Sequence, residues 1–458
     1  MLLPEAFITS LRGAPGFDEA AFTAVHDSGA QVTSIRLNPA KIIEQQLQEL
    51  PGTAEKIPWC ANGYYLPQRP IFTLDPLLHG GAYYVQEASS MFLEEVMKQT
   101  CDLKQPLKVL DLCAAPGGKS TLLQSVLSSD SLLVSNEVIK TRVNILAENI
   151  TKWGAANVVV TNNEPYHFQR LENYFDVIVV DAPCSGSGLF RKDPDAIKEW
   201  SPHNVEMCGQ RQQKILNDIM PSLNKNGILV YATCSYSSAE DEDILRWLAE
   251  NFELKNLRLH LEQSWQVIET IANGNYGYRF YPDKVKGEGF FIAAFQKKMP
   301  AEEFNRTSKN KDQKKSAKVS AGEIDILRPF IKNTAHFSFH RSGDEIIALP
   351  ATLNDDLPVL QSALYIKKAG TRLGAIIRNE LVPAHELALG SVVSNQVQAI
   401  EVDKDVALQY LRKEEIKLDS VLKGWALIKY RGVSLGWIKI LANRCNNYYP
   451  KEWRILMK

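Results

Sequence analysis

Leu107-Lys108-Val109-Leu110-Asp111-Leu112-Cys113-Ala114-Ala115-Pro116-Gly117-Gly118-Lys119-Ser120 begins as an apolar strand, passes through a loop of small residues and enters a helical run. Small residues let a backbone approach a ligand closely, and the helix that follows offers its N-terminal amides. The loop falls one residue short of the phosphate-cradling pattern G-x-x-x-x-G-K-[ST], because Cys113 stands where the first Gly belongs.

Outward from this stretch the alternation repeats. Leu132–Asn136, Asn157–Thr161, Asp176–Asp181 and Gly227–Ala232 read as further strands, with helical patterns over 140–152 and 204–223 between them. The run Val177-Ile178-Val179-Val180 is continuously apolar, as in a strand buried on both faces. Strands alternating with helices predict an α/β fold with a mostly parallel, doubly wound, Rossmann-like sheet. Ligands of such a sheet bind beyond the carboxyl ends of its strands. Four segments lie at such ends: 111–119, 136–137, 181–186 and 233–235. Glu137 closes the second strand, where an acid suits a ribose diol. A Gly loop plus that acid, without a full phosphate loop, suits the nucleoside of S-adenosylmethionine.

Two of these segments carry a thiol. Asp181-Ala182-Pro183-Cys184-Ser185-Gly186-Ser187-Gly188 places a carboxylate at a strand end, a Pro that fixes chain direction, and glycines that leave space for a planar ligand. Ala232-Thr233-Cys234-Ser235 again follows a strand directly. A lone buried Cys is ordinarily a small hydrophobe. Two at the ends of neighbouring strands, one beside an Asp and both near a cofactor loop, point to thiol chemistry. Methylation of cytosine at C5 needs such chemistry: a thiolate added at C6 makes C5 enamine-like, and a second thiol can assist its elimination.

The chain of 458 residues is long enough for two to four domains. We divide it into an N-terminal region 1–75, a strand–helix region 76–297, a linker 298–320, an intermediate region 321–400 and a tail 401–458. The linker is drawn on Lys309–Ser316, a run without an apolar residue. With 45% hydrophobic and 23% charged residues, no apolar run of about 20 and no basic, cleavable leader, the composition indicates a protein with no membrane partner. The seven cysteines are odd in number and none pair as C-x-x-C, which argues against a disulfide scaffold and a zinc site. A reducing cytoplasm, no metal and a monomeric state are expected. The net charge of −1 hides a basic tail: Lys423–Lys458 carries eight basic residues against one acid, Glu452. A local patch of this kind engages phosphates.

The motifs DLCAAPGGKS, DAPCSGSG and TCS, in this order, resemble the Sun/Nop family of RNA 5-methylcytosine methyltransferases. The likeness extends to Ser34–Pro39, Tyr84–Met91, Arg191–Asp195, Arg279-Phe280-Tyr281-Pro282 and Gly287-Glu288-Gly289-Phe290-Phe291. Gly436-Trp437 and Asn446–Arg454 look like the PUA-like RNA-binding tail of the bacterial small-subunit rRNA branch of that family. The resemblance implies Cys234 as the nucleophile, Cys184 in product release, and Asp181 and Lys119 holding the base and ordering the site. It implies that Cys113, Ala114, Ala115, Pro116, Gly117, Gly118 and Lys119, with Glu137, Arg142 and Asp181, frame the cofactor. Glu164 stands where members commonly have an Asp that meets the adenine, and Asp283 where many have a His. Arg36, Lys439, Arg444 and Lys451 are expected to contact RNA, with ribosomal RNA or the small ribosomal subunit as partner. Other readings are a tRNA enzyme, a DNA cytosine methyltransferase using Cys184, and a catalytically silent ribosome-assembly factor. The TCS cysteine and the RNA-binding-like tail speak against the DNA enzyme. Retention of both cysteines, Asp181 and Lys119 speaks against a silent factor.

Overall fold

The computed structural model describes residues 3–42, 55–298, 319–418 and 421–457. The expected linker 298–320 lies, except at its ends, outside the described residues. The first sheet contains β1 (Thr33–Leu37), β2 (Glu55–Lys56), β3 (Gly63–Leu66) and β4 (Tyr83–Val85), in the order β2-β3-β1-β4. Because β4 pairs with β1, this sheet runs past residue 75, where the sequence suggested a boundary.

The central sheet is built on β5 (Lys108–Asp111), β6 (Leu132–Asn136), β7 (Val158–Thr161), β8 (Phe175–Asp181) and β9 (Leu223–Thr233). These five run parallel in the order β9-β8-β5-β6-β7. Helices Gly118–Val126, Lys140–Trp153 and Pro202–Ile219 supply crossovers. In β8, Val177 and Val179 enter the core on one face of the sheet, Ile178 and Val180 the core on the other. That explains the unbroken apolar run. The strand order reverses between β5 and β8, whose carboxyl ends are Asp111 and Asp181. That reversal is where doubly wound sheets form their binding crevice.

Both edges of the parallel core are extended by antiparallel strands that the sequence pattern did not disclose. On one side come β10 (Leu254–Leu257), β11 (Ile268–Ala272), β12 (Asn275–Phe280) and β13 (Phe290–Lys297), with β13 antiparallel to β9. Farther along are β14 (Phe337–Ser342), β15 (Glu345–Pro350), β16 (Ile366–Ala369), β17 (Thr371–Ile377) and β18 (Glu380–Pro383). Four of these make the sheet β14-β15-β17-β18. The remaining strand, β16, pairs antiparallel with β7 and closes the other edge of the central sheet. It thereby covers backbone groups that an open edge would expose.

The last sheet is β19 (Ala399–Glu401), β20 (Gly424–Tyr430), β21 (Val433–Ile440) and β22 (Cys445–Asn447). Of the tail aromatics, Trp437 and Tyr449 are buried. Among the described residues, no helix is long and apolar enough to cross a membrane.

Candidate active site

Lys119 lies in the first turn of the helix Gly118–Val126, and its Nζ donates to Asp181 Oδ2 at 2.7 Å. The pair joins the Gly loop to the end of β8 across the topological switch. Burial works against the Lys119 ammonium, but Asp181 outweighs it, with Asp111 and Cys234 adding, so the group titrates above the ordinary lysine range. Asp111, fully buried at the end of β5, accepts from Ser120 Oγ at 2.6 Å. Burial pushes its carboxyl up to about 7. Its Oδ1 is buried with no hydrogen-bond partner.

The cofactor loop is held from behind. Asn136 accepts from Ala114 N through its carbonyl and donates from its side chain to the carbonyls of Leu112 and Asn163. Gly117 has φ +118°, a backbone that a side chain would strain. Arg142 donates to Ala115 O at 2.7 Å and lies 3.4 Å from Glu137. Glu137 also accepts from Ile139 N at 2.9 Å. The loop 113–119, Glu137, Arg142 and Asp181 therefore converge. An orphaned carboxyl oxygen behind small residues, with an acid at the end of β6, fits a ligand bearing a ribose diol and an amino-acid ammonium. Glu164 is exposed at the end of β7, where no described side chain orders it by a hydrogen bond. Cys113 is a neutral thiol: burial, then Asp181, Asp111 and Glu137, push it above the ordinary cysteine range.

Cys184 and Cys234 face each other with sulfurs 2.9 Å apart, both partly exposed. The hydrogen bond to Cys234, burial, the charge of Cys234 and Glu240 all push the Cys184 thiol well above the ordinary cysteine range. Gly188 sits between the cysteine loops. Its N donates to Cys234 O at 2.7 Å, and a Cβ there would lie 2.6 Å from the carbonyl oxygens of Cys234 and Gly289. So Gly188 serves close backbone packing behind Cys234; it does not open space for a planar ligand as the sequence suggested. Gly289, just before β13, is equally confined, with Tyr236 Cζ 2.3 Å from a virtual Cβ. The closing motif thus presses the TCS turn into place.

Sequence reasoning missed the acidic run Glu240-Asp241-Glu242, which reads as a solvated helix start and is instead buried. Glu240 accepts from Ser185 N (2.8 Å), Ser185 Oγ (2.5 Å), Ser235 Oγ (2.7 Å) and Gln212 Nε2 (3.1 Å). Asp241 and Glu242 pair with the buried Arg279. Glu288 is also buried, 3.6 Å from Arg191, and burial pushes its carboxyl up to about 7. The missed signal was the spacing of acids and basic partners within motifs read only as markers of resemblance.

One expected RNA contact is overturned. Arg36 is 1% exposed: it donates to Gln86 Oε1, Thr121, Ser125 and Gly118 O, and its guanidinium lies 4.4 Å from the Trp153 ring centroid. It docks the first sheet onto the cofactor-loop helix and is not available to RNA. Lys439 lies 5.1 Å from the Trp425 ring centroid, while Arg444 and Lys451 are exposed.

Three family models match successive parts of the chain: the N-terminal domain of 16S rRNA methyltransferase RsmF over 3–88, 16S rRNA methyltransferase RsmB/F over 99–296, and the methyltransferase RsmF PUA domain over 397–455. The chain is 28% identical over 434 residues to ribosomal RNA small subunit methyltransferase F of Shewanella piezotolerans, covering 92% of this chain and 90% of that one. It is 28% identical over 438 residues to the protein of the same description from Aliivibrio fischeri, with the same coverage. Among solved structures it resembles a methyltransferase homolog protein from Pyrococcus horikoshii, with 26% identity, a TM-score of 0.52, and coverage of 64% of this chain and 100% of that one. It shares its fold with NSun6 from Pyrococcus horikoshii, solved with SFG, at 18% identity and a TM-score of 0.54, covering 65% and 99%.

Proposed function

The chain belongs to the RsmB/F methyltransferase family, and from that premise we propose that it methylates C5 of a cytosine in small-subunit ribosomal RNA, using S-adenosylmethionine. We place it in the cytoplasm and read it as acting as a monomer. The observation that carries the chemistry is the pair of thiols 2.9 Å apart near the Lys119–Asp181 ion pair at the switch point of the sheet.

S-adenosylmethionine, when bound, supplies an electrophilic sulfonium methyl group. The loop 113–119, Glu137 and Arg142 would hold it, and Glu164 would meet its adenine amine. Cys234 is the attacking thiolate: its sulfur bonds to C6 of the cytosine and the C5=C6 electron pair moves to C5, which takes the methyl group. The C5 proton then passes to solvent, the C5–H electron pair restores the C5=C6 double bond, and the S–C6 pair departs with the Cys234 sulfur. Asp181, one oxygen held by Lys119, accepts from the exocyclic amine of the base. The Lys119 charge lies within electrostatic reach of Cys234. The surroundings of Cys184 disfavour its thiolate, which supports an assisting role in release and argues against Cys184 as nucleophile in the manner of DNA cytosine methyltransferases. Lys439, Arg444 and Lys451 belong to the RNA-contacting surface of the tail.

Bisulfite mapping of total RNA from cells with and without the gene tests the proposal. One protected cytosine or a few in small-subunit rRNA, lost with the gene, is the expected result. Loss confined to tRNA would overturn the substrate.

A further inference from the structure

Glu240 is a buried carboxylate with no cation paired to it among the described residues, and it sits on the two loops that carry the site's thiols. Ser185, the residue after Cys184, donates to it from both its backbone N (2.8 Å) and its Oγ (2.5 Å). Ser235, the residue after Cys234, donates from Oγ at 2.7 Å. Gln212 Nε2, from the helix Pro202–Ile219, completes the set at 3.1 Å and also donates to Pro183 O. Tyr231 on β9 donates to the carbonyl of Glu240 at 2.6 Å, fixing the residue itself. One carboxylate thus spans the turn after β8 and the turn after β9. Burying an unpaired charge is costly, and a merely structural tie is made as well by a neutral group. Four donors on its two oxygens fit a carboxylate that does more than tie two turns together.

Glu240 takes two donors from the residue after Cys184 and one from the residue after Cys234, and its charge is among the causes that push the Cys184 thiol up. Lys119, paired with Asp181 at 2.7 Å, is held charged on the other side of the site's chemistry by that carboxylate. We propose that Glu240 is a positioning residue that sets the direction of the 2.9 Å contact between the sulfurs, so that Cys184 donates its S–H and Cys234 accepts as thiolate. This rests on the reading of Cys234 as nucleophile. The donated hydrogen bond stabilises Cys234 before it attacks C6 and again as it departs, when the S–C6 electron pair returns to sulfur. No net proton is consumed, because Cys184 keeps its own throughout. The other groups that act on Cys184 are Cys234 itself and the backbone N–H of Gly186, and Tyr231 lies within electrostatic reach.

Glu240→Gln isolates the charge. The amide oxygen can keep Ser185 N and Gln212, and the amide nitrogen can donate to the two serine hydroxyls, which accept as readily as they donate. The variant is expected to keep its melting temperature and its S-adenosylmethionine affinity while turnover falls by about tenfold, the factor that one pH unit of thiol acidity corresponds to. In a Cys184→Ala background the same substitution should cost almost nothing. Peptide mass spectrometry after a short iodoacetamide pulse at pH 8, on Cys234→Ala enzyme, reads the Cys184 thiol directly. Adding Glu240→Gln to that enzyme should make Cys184 alkylation about tenfold faster. Equal losses of turnover in the presence and absence of Cys184, or an unchanged Cys184 alkylation rate, would overturn the proposal. Turnover by Cys234→Ala alone would instead overturn the nucleophile reading, so the two failures are separable.

Discussion

Cys234 and Cys184 share a chemistry and differ in their neighbours, and the difference predicts distinct defects. Cys234→Ala should abolish methylation with cofactor affinity unchanged, because the thiol acts on the base; substantial turnover would refute its role. Cys184→Ala should form the RNA adduct and resolve it slowly, leaving an RNA-linked band on a denaturing gel. A second test concerns Glu288, whose buried carboxyl is raised to about 7. Its folded form holds a proton that the unfolded chain releases at ordinary carboxylate pH. This contribution to stability is therefore fully present at acid pH, shrinks as pH rises through the window from the unfolded value to about 7, and changes no further above it. Glu288→Gln should remove that slope. Melting curves of the two proteins at pH 5 and pH 8 should show the amide gaining on the native protein with rising pH; a constant difference would show that Glu288 is charged throughout.

At the scale of the element, the site depends on turns held from behind by backbone contacts. Gly188→Ala puts a methyl 2.6 Å from two carbonyl oxygens and must displace the Cys234 turn. Misplacing a reacting group by about 1 Å can cost about 100-fold in rate. A loss of that order in turnover, with cofactor binding retained, is expected from steady-state kinetics and calorimetry. Glu137→Ala should raise the cofactor dissociation constant at least about tenfold, since each charge-assisted hydrogen bond removed is worth about 1.5–3 kcal/mol; calorimetry showing no change would dissociate Glu137 from the ribose.

These elements also show what a sequence makes legible. Parallel strands buried on both faces announce themselves as apolar runs, and β5, β8 and β9 were readable with their terminal Asp and Cys residues. The antiparallel strands β10, β11, β12 and β16 were not, because short strands of mixed polarity carry little pattern and their pairing is non-local; β13, an apolar run from Phe290 to Phe295, was read only as the closing motif. Glu240 was hidden for a related reason: four consecutive acids, Glu240–Asp243, look solvated, and only the folded chain brings serines from two separate turns to meet one of them. Arg36 shows the opposite error, a basic residue in a motif taken for a nucleic-acid contact and found buried against Trp153.

At the scale of the whole molecule, the candidate active site and the tail matched by the PUA model lie on separate sheets, so under the proposed function a surface change in the last sheet should alter RNA binding without altering chemistry. The aromatic members of the tail divide: Trp437 and Tyr449 are core, whereas Tyr448 is 39% exposed and packs on Trp425 with ring centroids 4.4 Å apart. The basic residues are therefore the cleaner probe. Arg444 and Lys451 are exposed and make no ion pair among the described residues; Lys439 shares the Trp425 face, an interaction worth about 0.5–1 kcal/mol at an exposed site. Replacing all three with Ala should leave the melting temperature little changed and cofactor binding intact. For every phosphate that the protein ceases to neutralise, the slope of log affinity against log salt should fall by about 0.7–0.9. Filter binding of small-subunit rRNA over a salt series is the measurement. Weaker binding with a shallower slope is expected. An unchanged affinity and slope would remove the tail from the RNA interface and leave recognition to the first sheet and the catalytic cleft.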